Sequence, residues 1–142
     1  MRAPLDSYDH KFTLINSISS QTEEMQLAAV KSDPANICYT KNPSERVQLA
    51  AVRRNQYCIY SIDFPTEKVQ LVLVKRDPHL IRAIVEPSER VQLAAVKRDG
   101  TTIQHIVDPS EKVQIAAVKQ NPTAIQHIKN PCVFVRLIGK YE

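Results

Sequence analysis

Tryptophan is absent, aromatic residues make up only 6% of the 142-residue chain, and there are 2 glycines. So few large rings argue against one large interlocked core. A chain of repeated units does without such a core, because each unit packs only on its neighbours. The two glycines, Gly100 and Gly139, form no phosphate-cradling loop. Cysteine is scarce and odd in number. Cys38, Cys58 and Cys132 contain no CxxC, so they suit neither a disulfide framework nor a zinc site, and a reducing compartment is expected. The opening MRAPLDSYDHKF lacks the apolar stretch of a secretory signal. The longest strongly apolar run, about Leu71 to Val74, is far too short to span a bilayer, so a cytoplasmic protein without membrane contact is expected. Neither sign of charge dominates. With 24% charged residues and a net charge of +4, an acidic partner is permitted but not required. The 43% hydrophobic content suffices for folding, and the length suits a single domain over 1–142.

What is present is a repeat. Gln26, Gln48, Gln70, Gln92 and Gln114 recur every 22 residues, each in one phrase: MQLAAVKSDP, VQLAAVRRNQ, VQLVLVKRDP, VQLAAVKRDG, VQIAAVKQNP. With the preceding proline as position 1, five full repeats occupy 21–42, 43–64, 65–86, 87–108 and 109–130. Residues 1–20 hold a partial N-terminal repeat, in which Ile15 and Ile18 fall at positions 17 and 20. Residues 131–142 form a truncated C-terminal one.

Each repeat carries its own punctuation. In Asp108-Pro109-Ser110-Glu111, Asp108 is predicted as the N-cap, with Pro109 first in the helix and Glu111 at N3, as in a capping box. A first helix then runs to about Gln120. Asn121-Pro122 ends it, since proline excludes the residue before it from the α region. A second, shorter helix follows through Ile125 and Ile128, with barely two turns and some 3₁₀ character. Neither helix is stable alone in water, so stacking must hold them. At about 100° per residue, positions 5, 9 and 10 (Val113, Ala117, Val118) share one arc, with the repeated Gln inside it. The small pair at positions 8 and 9 allows close helix approach. Val72 and Leu73 break it in the third repeat, where a bulge or a change of curvature is expected.

The phrase Glu-Arg/Lys-Val-Gln-Leu-Ala-Ala-Val-Lys/Arg-x-Asp/Asn-Pro, spread over residues 13 to 142, resembles tandem repeats of unknown function from phages, bacteria and large viruses. It is similar to leucine-rich repeat variant and HEAT-like solenoids. The resemblance implies an all-α, right-handed solenoid of short helix pairs. It transfers no catalytic residue. It also suggests a phage protein acting in the host cytoplasm, for which inhibition of a host defence complex is the corresponding role.

Several features are candidates for function. A buried glutamine must find partners, so the Gln ladder reads first as a structural bond to the next repeat's backbone or to the turn between helices. A ligand-reading row is the alternative. Position 4 supplies Arg46, Lys68, Arg90 and Lys112, and position 11 supplies Lys31, Arg53, Lys75, Lys97 and Lys119, with Arg54, Arg76 and Arg98 at position 12. Stacked, these form a basic stripe that could follow a phosphate backbone or an acidic protein. The competing reading is a solvated face. Cations at positions 11 and 12 suit a helix C-terminus and Glu at position 3 suits an N-terminus, leaving only position 4 without a local reason. The lack of interleaved aromatics weakens single-strand binding.

In the last repeat Phe134, Ile138 and Tyr141 stand where positions 4, 8 and 11 carry Arg or Lys, Ala, and Lys or Arg in most other repeats. Such an apolar end suggests a homodimer or partner contact. A tail folded back on the body is the alternative, and CVFVRLIG could also be extended. Positions 18 and 19 vary: Cys38-Tyr39, Tyr60-Ser61, Arg82-Ala83, Gln104-His105, Gln126-His127. Tyr39, Tyr57 and Tyr60 group together, and His105 and His127 stand one repeat apart, about 10 Å, too far to share a metal. No nucleophile has a partnered base, so no catalytic residue, cofactor or metal is expected. The reading is a non-enzymatic scaffold that binds another protein, with nucleic-acid binding along the basic stripe as the alternative.

Overall fold

The computed structural model of the chain describes Ile15 and residues 20–139. Those residues are helical or in turns, with no strand among them. Five α-helices of identical length recur at the sequence period: α1 (Glu23–Ser32), α2 (Glu45–Arg54), α3 (Glu67–Arg76), α4 (Glu89–Arg98) and α5 (Glu111–Gln120). Each is followed by a six-residue 3₁₀ helix: η1 (Pro34–Tyr39), η2 (Gln56–Ser61), η3 (Pro78–Ala83), η4 (Gly100–His105) and η5 (Pro122–His127). A short α6 (Val133–Ile138) closes the described chain. The fold is all-α, a solenoid architecture of helix pairs repeating about every 22 residues.

The break between the two helices of a pair is built into the Asx residue at position 13. Asp33, Asn55, Asp77, Asp99 and Asn121 are extended, and each side chain accepts from the N–H two residues on at 2.9 to 3.0 Å. The same Asx N–H donates back to the α-helix, as Asn121 does to the carbonyl of Ala117 at 2.9 Å. One residue thus ends one helix and starts the next.

The start of each α-helix differs from the sequence expectation. Ser44, Ser88 and Ser110 are the N-caps and accept from the N–H three residues on; Thr22 and Thr66 do the same. Glu111 is therefore the first helical residue rather than N3, and Pro109 precedes the cap. Asp108 cannot cap, because it lies at φ 46°, as Asn42 and Glu86 do at 47° and 50°. In these three repeats a left-handed residue lies where the chain passes from one pair into the next, and Asn and Asp tolerate it better than most residues.

The chain divides into two compact units, 1–69 and 70–142. In the first, α1 packs on α2 and η1 on η2. In the second, α4 packs on α5, η3 on η4, η4 on η5, and α5 on α6. Each unit thus has an α layer and a 3₁₀ layer, with the core between them. Positions 5, 9 and 10 fill that core as the wheel requires: Val47, Ala51 and Val52 in the first unit, Val113, Ala117 and Val118 in the second. Positions 17 and 20 complete it from the 3₁₀ layer, with Ile59 and Ile62 in one unit and Ile103 and Ile106 in the other. Each such Val or Ile side chain contributes about 1.5–3 kcal/mol on burial.

Two alternatives left open by the sequence are narrowed here. α3 has the same ten residues as its neighbours, without a bulge at Val72 and Leu73. Leu73 is buried at the place where the other repeats put alanine. The segment CVFVRLIG, for which an extended form was open, is helical over Val133–Ile138.

Candidate functional site

The repeated glutamine is a structural clip. In the first unit Gln48 Nε2 donates to the carbonyls of Pro43 (2.9 Å) and Phe64 (3.3 Å), while its Oε1 accepts from Thr66 N (3.1 Å). In the second, Gln114 Nε2 donates to Pro109 O (3.0 Å) and Asn130 O (3.4 Å), and Oε1 accepts from Cys132 N (2.8 Å). The amide therefore ties its own helix start to the loop entering the next repeat. Little of its bonding capacity is left for a ligand. Gln26 reaches the same loop through Lys41 O (2.8 Å) and Gln21 Oε1 (3.0 Å).

The basic stripe is less free than its sequence pattern implies. Position 4 has a local reason after all, since Arg46, Lys68 and Lys112 each reach back to a glutamate of the preceding repeat. Arg46 lies 3.3 Å from Glu23 and 3.2 Å from Glu24, Lys68 3.4 Å from Glu45, and Lys112 3.5 Å from Glu89. Arg90 and Arg53 also have interactions of their own. The same glutamates receive the N-cap hydroxyls of the following repeat, Thr66 on Glu45 at 2.9 Å and Ser110 on Glu89 at 2.8 Å. The hydroxyl of Ser110, and then the Lys112 charge, hold the Glu89 carboxyl below its usual value; Ser44 and Arg46 do the same for Glu23. These are exposed pairs, largely screened by solvent, and they contribute little to stability. At position 12, Arg54 donates to the carbonyls of Val30 and Lys31 at the end of α1. In the second unit Gln120 does similar work, donating to Arg98 O at 3.2 Å and accepting from Gly100 N at 2.6 Å. At position 11, Lys31, Lys75, Lys97 and Lys119 are exposed and have no ion-pair partner among the described residues.

The expected C-terminal contact rearranges on α6. Phe134 is 51% exposed, but Ile138 is turned inward onto the core of the second unit. Tyr141 lies outside the described residues. The exposed apolar face consists of Val133, Phe134 and Leu137, which stand three and four residues apart on one side of the helix. Sequence reading missed Val133 and Leu137, because their exposure depends on what packs against position 7.

The open clefts lie at the ends of the 3₁₀ helices. In the second unit a cleft of about 380 Å³ is lined by Ile103–Pro109, Gln114 and His127–Asn130. In the first unit the same repeat positions (Thr40, Asn42, Pro43, Gln48 and Ser61–Phe64) line one of about 250 Å³. Each has a clip glutamine in its lining and the variable position 19 in its wall. Beside the larger cleft, His79 Nε2 meets Asp99 Oδ2 at 3.0 Å. The rings of His79 and His105 stand edge to face, with centroids 5.9 Å apart. Burial, then the charges of His79, Arg82 and His127, push His105 below its ordinary value. The sequence reading paired His105 with His127 and passed over His79, which sits at a different repeat position.

No group of acidic, histidine or cysteine side chains suited to a metal ion is found among the described residues. Cys58 is buried with its thiol on Pro34 O at 3.3 Å, and burial pushes the thiol up. No described helix is long and apolar enough to cross a membrane. Comparison with protein-family models, curated proteins and solved structures finds no match to the chain.

Proposed function

We propose that this chain is a non-enzymatic scaffold that binds another protein through its 3₁₀-helix side. The observation that carries this reading is the cleft that occurs at the same repeat positions in both units, with different side chains in each. The backbone and its glutamine clip are constant, while positions 18, 19, 21 and 22 vary. Ser61, Asp63 and Phe64 line one cleft, and His127, Lys129 and Asn130 line the other. A constant frame with a variable lining suits specific recognition. Concave, largely apolar sites with a few placed polar groups are where ligands bind. On the α-helix side, by contrast, the position 4 cations and position 3 glutamates are engaged by neighbouring repeats. A buried, hydrogen-bonded Cys58 with a raised pKa also makes a poor nucleophile.

A photoreactive residue placed at Tyr60, Gln104 or Gln126 on the 3₁₀ side, or at Lys97 or Lys119 on the α side, tests this. Protein adducts from the 3₁₀ positions alone are expected. Nucleic-acid adducts from the lysine positions, or no adducts anywhere, refute the reading.

One observation favours nucleic acid as the second reading: the position 11 lysines remain exposed and unpaired. It requires salt-sensitive binding of duplex DNA or RNA that is lost when Lys97 and Lys119 become Glu. Self-association through α6 is a separate expectation. Concentration-dependent sedimentation that Phe134→Asp abolishes supports it, and a monomer at every concentration removes it.

A further inference from the structure

The larger cleft carries basic side chains that its counterpart in the first unit lacks. Ser61 and Asp63 stand in the first cleft where His127 and Lys129 stand in the second. The backbone therefore builds the groove in both units, and the side chains line only the second with basic groups. His105 joins the lining from the opposing wall. Asp108 is the one carboxylate in the lining. The apolar part of the wall is formed by Ile103, Ile106 and Ile128, with Val107 86% exposed, while Gln104, Gln114 and Asn130 add amide groups. The volume of about 380 Å³ lies at the small end of ligand sites and suits a few side chains rather than a large cofactor.

We infer that this cleft binds a short acidic segment of a partner protein, with a carboxylate among His105, His127 and Lys129 and an adjacent apolar side chain against Ile106, Ile128 and Val107. The inference rests on the protein-binding reading and names the chemistry of the partner. A phosphodiester strand fits less well. Much of the lining is apolar, and no Phe, Tyr or Trp in the lining offers a stacking platform. Charge complementarity also predicts a proton link. His79, Arg82 and His127 disfavour the charged form of His105, while Asp99 holds His79. Asp108 and Lys129 are the charged groups on the rim. A bound carboxylate opposes that repulsion, so binding takes up a proton and tightens in mild acid.

The test is fluorescence anisotropy of a labelled short peptide alternating glutamate and leucine, titrated with the full chain at about pH 6 and about pH 8. Saturable binding is expected, at least about threefold tighter at the lower pH. Lys129→Glu, an exposed change that leaves the fold intact, is expected to weaken it about tenfold. His105→Gln with His127→Gln removes the pH dependence, and circular dichroism verifies that this variant is folded. Ser61→His with Asp63→Lys, which moves the cationic lining into the first cleft, adds a second site. A lysine–leucine peptide does not bind. No binding at the lower pH, or binding indifferent to these variants, overturns the inference. Single-stranded RNA that binds and is lost in the same variants overturns the peptide assignment. If the peptide fails while photo-crosslinking from Gln104 still yields protein adducts, the cleft assignment falls and the scaffold reading stands.

Discussion

Replacing Gln114 by leucine removes the clip and keeps the volume. Three hydrogen bonds go: those to Pro109 O and Asn130 O, and the one from Cys132 N. At about 1 kcal/mol net for each bond, the loss is roughly 3 kcal/mol. The leucine side chain gains transfer free energy at a site where Gln114 is only 7% exposed, which offsets roughly 1 kcal/mol. The net expectation is about 2 kcal/mol of destabilisation, since the orphaned backbone groups can reach water in part. Because the clip holds the loop into α6, the effect should be local first, with faster amide exchange over Val133–Ile138 than elsewhere. Gln104→Leu makes the same chemical change on an exposed side chain and is the control, expected to shift stability by less than about 0.5 kcal/mol. Urea denaturation followed by circular dichroism measures both. If Gln114→Leu costs no more than Gln104→Leu, the clip is not what joins the repeats, and the argument fails.

Gly100→Ala should destabilise by about 1–3 kcal/mol, because an added Cβ would lie 2.3 Å from the carbonyl oxygen of Ala117, a backbone atom that cannot swing aside; thermal melting reads this, and an unchanged midpoint contradicts it. Ser110→Ala should cost about 1 kcal/mol through the lost N-cap, and it removes the bond that holds the Glu89 carboxyl below 4.5. A depressed carboxylate stabilises the fold above its unfolded pKa and loses that contribution as pH falls through the folded value. The variant should therefore show a Glu89 titration shifted upward by NMR and a shallower loss of stability in acid. His105 is depressed below 6.5, so the unfolded chain binds that proton more tightly than the folded one. Stability from this group is present above 6.5 and declines as pH falls through the folded value. Denaturation midpoints of His105→Gln should be flatter than those of the natural chain across this range, and identical profiles would refute the assignment.

The architecture was legible because it repeats. Apolar positions 5, 9 and 10 recur at one period, and the Asx residue before position 14 marks the break between helices without ambiguity. The capping register was not legible. Asp108-Pro109-Ser110-Glu111 satisfies the capping rules in two ways, with Asp108 or with Ser110 as cap. The choice falls to Ser110 because Asp108 takes a left-handed backbone and the carbonyl of Pro109 meets Gln114. The position 4 cations were misjudged for a related reason. Their partners lie more than twenty residues away, as Lys112 and Glu89 do, and become neighbours only on stacking. At the C-terminal end, Ile138 and Phe134 read as one apolar group, yet packing against α5 turns the first inward and leaves the second outside.

The sequence by itself determined the repeat period, the long and short helix in each repeat, the residues that form the core, and the need for the buried glutamines to find backbone partners. All of these follow from local rules: side-chain periodicity, the restraint of proline on its predecessor, and the cost of burying an unpaired amide. Only the tertiary structure decided which residue caps each helix, which cations face solvent, and where the clefts open. Those outcomes depend on distances between residues one repeat apart, and no rule confined to a single repeat can supply them.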